Sequence, residues 1–168
     1  MLFDYGQGIG IEVFFSVFDP VFVPWCENIG VKRYKIASTW KRDPTELNAV
    51  LETTKPVIVS IPNETAPSIS PRQLWGLAEH SATWLYCPPG YPQGKISMIE
   101  FHFPRIGFSD HTIGIDAAKI ALARGAQIIE KHFILDRAIP APDAPWSMTP
   151  DELAELVRWE KVCREVIN

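Results

Sequence analysis

Six short apolar runs punctuate the chain: EVFFSVF (12–18), RYKIAS (33–38), PVIVSI (56–61), TWLYCP (83–88), RIGFSD (105–110) and QIIEKHF (127–133). They are rich in β-branched and aromatic residues and read as nearly continuous apolar stretches rather than as strict alternations. That is the pattern of strands covered on both faces. Between them lie segments with helix-start signals: Asp43-Pro44-Thr45-Glu46, Ser70-Pro71-Arg72-Gln73 and Thr149-Pro150-Asp151-Glu152. Each combines a capping residue, a proline in the first turn and a Glu or Gln three residues on. A further helix is expected over DAAKIALARG (116–125), small on its packing side and closed by Gly125. Strand and helix alternate, so the expected class is α/β with a parallel sheet wrapped by helices.

The runs begin at residues 12, 33, 56, 83, 105 and 127, which are 21, 23, 27, 22 and 22 residues apart. Even spacing suits a (β/α) barrel or a doubly wound sheet, and the polar residues decide between them. Ser16, Ser38, Ser60, Ser109 and His132 all fall at or near the C-terminal ends of their strands. In a barrel those ends converge on one mouth, whereas an open sheet gathers only a few in its crevice. The reading is a (β/α) barrel of about six βα units, in one domain over residues 1–168. The stretch from Pro88 to Pro104, with its prolines and glycines, breaks the rhythm and is expected to be a loop.

Composition narrows the partners. Sixteen Lys and Arg stand against twenty Asp and Glu, for a net charge of -4 and a pI near 5.6. No basic footprint for nucleic acid and no polybasic membrane patch is present. No apolar run approaches the ~20 residues that span a bilayer. The first residues lack the basic-then-apolar order of a signal peptide, and three widely spaced cysteines fit reduced thiols, so a cytoplasmic protein is expected.

Two groups of residues carry candidate chemistry. Lys35 with Ser16, Ser38, Ser60 and Ser109 offers one positive charge and several hydroxyls, a set suited to phosphate or carboxylate. Serines also end strands simply because they favour turns, but five polar tips beside a strand lysine favour an anion site. His111 and His132 end successive strands, and adjacent strands lie about 4.8 Å apart. Both imidazoles can then reach one metal ion and leave positions open for water and substrate. Asp110 and Glu130 stand beside them as candidate orienters or proton carriers. His80 and His102 are read as surface residues.

The stretch IGFSDHTIGIDAAKIALARGAQIIEKHFILDR (106–137) resembles the last two βα units of the sialic acid synthase family. That family includes the pseudaminic and legionaminic acid synthases. GIEVFFSVFD, YKIAS, KPVIVS, the Tyr-Pro of YCPPGYP and the closing APDAPWSMTPDEL resemble further blocks of it. The resemblance implies a barrel that condenses phosphoenolpyruvate with the open-chain aldehyde of an acylamino sugar, such as N-acetylmannosamine. It implies His111 and His132 as ligands of manganese or magnesium, and Lys35, Ser16, Ser38, Ser60 and Ser109 as the phosphoenolpyruvate pocket. Tyr91 and Asp143 would touch the sugar.

The sequence also departs from the family pattern. It begins where the second helix would be ending, so the first two barrel strands and the later antifreeze-like domain would lie outside it. Thr39 and Trp40 stand where the family has an acidic catalytic residue, and Pro88-Pro89 replaces an expected Asn or Ser. Glu130 and Asp110 are then the carboxylates left for proton transfer, and the isolated chain is expected to turn over weakly. Open sheet edges would favour a homo-oligomer. The alternatives are a non-catalytic sugar-, phosphate- or metal-binding relative, or a metal-dependent aldolase.

Overall fold

The computed structural model describes residues 2–38, 44–61, 82–96 and 106–166. The helix start at 70–73, Thr39, Trp40, His80 and His102 lie outside the described residues. All six expected strands are present, each shorter than its apolar run. They are β1 (Phe15–Ser16), β2 (Tyr34–Ile36), β3 (Val57–Ile61), β4 (Ala82–Tyr86), β5 (Ile106–Asp110) and β6 (Ile129–Lys131). The described helices are α1 (Leu2–Gly8), α2 (Val23–Ile29), α3 (Pro44–Glu52), α4 (Asp116–Ala123) and α5 (Pro150–Val166). The first two were not expected from the sequence, because neither carries a strong start signal.

The chain divides into two compact units, Met1–Ser60 with Pro71–Thr83, and Ile61–Ser70 with Trp84–Asn168. In the first, β1, β2 and β3 pair in parallel, with Ser16 opposite Lys35 and Lys35 opposite Ile58. Tyr34 is fully buried on the helix side, where its hydroxyl donates to Glu27 of α2 at 2.7 Å. Lys55 closes the same corner by donating to Glu27 at 2.8 Å and to the Val31 carbonyl at 2.7 Å. Because side chains alternate along a strand, Lys35 projects from the opposite face to Tyr34. Helix α2 ends at Gly30, whose φ of 83° is the left-handed cap that lets the chain turn straight into β2.

In the second unit β4, β5 and β6 are parallel, with Phe108 opposite Ile129, Ser109 opposite Glu130 and Asp110 opposite Lys131. Phe108 packs with Tyr86, Ala121 and Ala126, so one face of β5 lies under α4. Small residues at Ala118 and Ala121 bring that helix close to the sheet. On the other side Ile115 and Ala118 meet Met148 and Leu156, which seats α5 beside α4. Gly107 has no room for a side chain: a Cβ there would sit 2.3 Å from Leu85 and 2.8 Å from the Ile128 carbonyl oxygen.

The start of α5 forms as its sequence requires. The Thr149 amide donates to the Glu152 carboxylate at 2.8 Å, and the Glu152 amide reaches back towards the Thr149 hydroxyl at 3.5 Å. This reciprocal box satisfies two amides that a helix start leaves without partners. Arg137 donates to the same carboxylate, tying the helix to the loop after β6. Replacing Thr149 by Ala should therefore cost about 1 kcal/mol, the usual worth of such a cap. Chemical denaturation of Thr149→Ala against the parent checks this; an unchanged midpoint would show that the box contributes nothing.

Candidate functional site

The polar residues at the ends of β5 and β6 separate by strand parity. Phe108 and Asp110 share the helix side of β5, and Ser109 faces the other way. Asp110 is fully buried, and Lys131 opposite it donates to its carboxylate at 2.9 Å, the two side chains being 0% and 1% exposed. The same lysine donates to the Thr112 carbonyl at 2.8 Å, while Asp110 accepts from the Thr112 amide at 2.8 Å and hydroxyl at 2.7 Å. Each charge is thus both paired and hydrogen-bonded, the condition for burying it. Asp110 and Lys131 each directly precede one histidine, so this cluster fixes the backbone from which both imidazoles project.

On the opposite face the Ser109 hydroxyl donates to Glu130 at 2.6 Å. Two residues further, just past the end of each strand, stand His111 and His132, their ring centres 5.2 Å apart and their planes inclined at 62°. Two imidazoles sharing one ion through metal–nitrogen bonds of about 2.1 Å place their ring centres about 5 Å apart, so the spacing fits. Nδ1 of His132 lies 3.5 Å from the Asp143 carboxylate, an outer partner of the kind that orients ligating histidines. The loop bearing Asp143 is held there by the Met148 amide, which donates to the His132 carbonyl at 2.7 Å. Among the described residues no three His, Cys, Asp or Glu side chains gather as a metal-binding group. Water and substrate would complete the shell of an ion on the histidine pair.

Burial pushes the His111 imidazole down to about 4, and His132 adds to the shift while Glu130 and Asp110 oppose it. His111 is therefore neutral near pH 7, as a metal ligand must be. Aromatic rings enclose the pair. Tyr91 meets His111 edge-on with centres 4.3 Å apart, and Trp146 stands 6.4 Å from both Tyr91 and His132.

The expected anion residues fall in both units. In the first, Lys35 is buried and donates to the Ser60 hydroxyl at 2.8 Å. Ser16 is exposed on β1 in register with Lys35, and Ser38 is half-buried just beyond β2. Ser109 belongs to the second unit, where it is bonded to Glu130. The structure thus joins Lys35 to Ser60, and Ser109 to Glu130. Sequence reading missed Gln93, which is buried against His111, and Trp146. It also grouped Asp110 with Glu130, although strand alternation sends their side chains to opposite faces. That signal was present in the sequence.

Parallel strands alternating with helices, with a histidine pair just past the C-terminal ends of β5 and β6, define the class as a (β/α) barrel. The sequence matches the NeuB family over residues 1–167, and the chain belongs to that family. It is 29% identical to an N,N'-diacetyllegionaminic acid synthase of Legionella pneumophila, over 94% of this chain and 48% of that protein. It is 30% identical to a pseudaminic acid synthase of Campylobacter jejuni, over 93% of this chain and 48% of that one. The crystal structure of N-acetylneuraminic acid synthetase from Leptospira borgpetersenii, in complex with citrate, superposes with a TM-score of 0.84 at 30% identity. It covers 99% of this chain and 62% of that one. The fold is an incomplete (β/α) barrel with six described strands, and the chain spans about half the length of the curated relatives it matches. No helix among the described residues is long and apolar enough to cross a membrane.

Two outcomes follow from this geometry. Lys131→Met leaves the Asp110 charge buried without its cation and should cost about 3–5 kcal/mol in urea denaturation. Asp110→Asn with Lys131→Met removes both charges, keeps an acceptor for Thr112, and should cost less; equal losses would refute a paired-charge anchor. For His111 the folded value lies below the unfolded value of about 6.5, so the unfolded chain binds the proton more tightly. Stability is then full above pH 6.5 and falls as the pH drops towards 4, by about 1–3 kcal/mol. The difference between the parent and His111→Gln across that window measures it, and parallel curves would exclude it.

Proposed function

We propose that this chain forms part of a synthase that condenses phosphoenolpyruvate with the open-chain aldehyde of an N-acylamino sugar, giving a nonulosonic acid of the sialic type. The observation that carries the reading is the pair of facing imidazoles, His111 and His132, beside the Ser109–Glu130 hydrogen bond on the face turned away from the helices. Membership of the NeuB family and relatives described as legionaminic and pseudaminic acid synthases support the choice of reaction. A divalent ion, manganese or magnesium, held by His111 and His132 would act as a Lewis acid that polarises the sugar aldehyde.

The protein's own groups divide the remaining work. Lys35 and the Ser60 hydroxyl it holds offer a charge-assisted donor pair for phosphate or carboxylate oxygens. Neutral His111 keeps a lone pair for a ligand at physiological pH. Glu130 is half-buried and accepts from Ser109, which places a carboxylate within the group facing the histidines. It is the residue we assign to proton transfer when water adds at the enolpyruvate carbon. Asp110, sealed by Lys131 and Thr112, keeps His111 in position and moves no proton. Tyr91 and Asp143, both accessible beside the imidazoles, are assigned to sugar hydroxyls.

Calorimetric titration with manganese tests the first half of this reading. The parent protein should bind one equivalent, and His111→Ala with His132→Ala should abolish the heat. Thermal shift with phosphoenolpyruvate tests the second half, and Lys35→Ala should weaken binding by about 1.5–3 kcal/mol. A parent protein that binds neither ligand would overturn the assignment.

A further inference from the structure

Helix α1 is apolar on two sides. Phe3 and Gly6 are buried, and a Cβ on Gly6 would sit 2.3 Å from Val13 Cγ2, so the helix lies directly on the residues that lead into β1. Leu2 and Tyr5, with Ile9 just past the helix, are spaced by three and four residues and form a second stripe. These side chains are 85%, 67% and 54% exposed. A helix that is apolar all round is normally a buried one. The strand beside it is uncovered too. β1 stands at the end of the sheet order and pairs only with β2 among the described strands, so its other edge is open. Free hydrogen-bonding groups and exposed apolar area therefore lie side by side in the first unit.

We propose that the open edge of β1 and the outer stripe of α1 form a docking surface for a βα segment of a second polypeptide. Its strand adds in parallel to β1, and its helix covers Leu2, Tyr5 and Ile9. Three observations choose this occupant. Each described strand pairing is parallel, and α2 and α3 each link two paired strands, whereas α1 runs into β1 with no strand on the near edge. A (β/α) barrel has eight strands and six are described, so strand-and-helix units are what the architecture lacks. Residues 1–31 contain no Lys or Arg, which sets this face apart from the basic helices that lie on anionic membranes and from nucleic-acid surfaces. A second copy is the competing occupant, but a twofold contact would pair β1 with itself in the antiparallel sense. The proposal uses none of the histidines, lysines or serines assigned above and stands apart from the chemistry.

Sedimentation of the full chain, mixed with a polypeptide carrying the first two βα units of a sialic acid synthase barrel, tests it. The two should form a one-to-one complex, and hydrogen exchange should slow at the β1 amides turned away from β2. Leu2→Lys with Tyr5→Lys puts two charges on the outer stripe, where both side chains are exposed in the folded chain. That variant should bind the segment at least about tenfold more weakly. Absence of a complex, or equal affinity of the variant, would overturn the proposal. So would a full chain that sediments alone as a dimer and dissociates on the same two substitutions, because the occupant would then be a second copy. Should the segment prove insoluble, it is joined ahead of Met1 instead. Slower exchange on the open side of β1 with a higher Tm then supports the docking, and unchanged exchange refutes it.

Discussion

The buried pair of Lys131 and Asp110 is the interaction on which the rest of the second unit's site depends. Two charges with almost no solvent contact persist only when they are paired and hydrogen-bonded, and here Thr112 donates twice to Asp110 and accepts from Lys131. That requirement permits little freedom. A slip of one residue between β5 and β6 would carry Asp110 away from Lys131 and turn one of them to the other face. The ion pair therefore acts as a register pin. The register it pins is the one that puts Ser109 opposite Glu130 and leaves the two histidines level.

From that register the electrostatics of the two faces follow. The helix-facing side holds a neutralised ion pair beneath Phe108 and the alanines of α4, a packed and dry environment. The other side carries a carboxylate, a hydroxyl and two imidazoles, one of them kept neutral chiefly by burial. A neutral imidazole in such a place keeps one ring nitrogen unprotonated near neutral pH. Tyr91 and Trp146 reduce access of water around it, which strengthens any charge interaction formed there.

The strands were legible because covered parallel strands need continuous apolar runs, and nothing else in the chain competes with them. The capping box of α5 was legible for a similar reason, since Thr149 and Glu152 act on each other over three residues. Helices α1 and α2 were not, because Leu2–Gly8 and Val23–Ile29 are short segments that carry proline or glycine and owe their helicity to packing. At the site, the histidines stood out by residue type and spacing. The separate duties of Asp110 and Glu130 needed the period of two to be applied within SDH and EKH, where residue type alone makes them look equivalent. Gln93 gave no signal, for it lies in an irregular segment and finds His111 only through the fold.

The division into two compact units bears on what such a chain can do alone. The histidine pair, its ion-pair anchor, Glu130 and Gln93 all belong to one unit. Lys35 and Ser60 likewise meet within the first unit. Each of these groups of residues is therefore local to one unit. Carbon–carbon bond formation is more demanding, since it requires anion, cation and proton carrier in near-attack geometry at the same moment. Whether a cation and an anion bind is therefore a question about each local group of residues, and turnover is a separate question about their joint geometry.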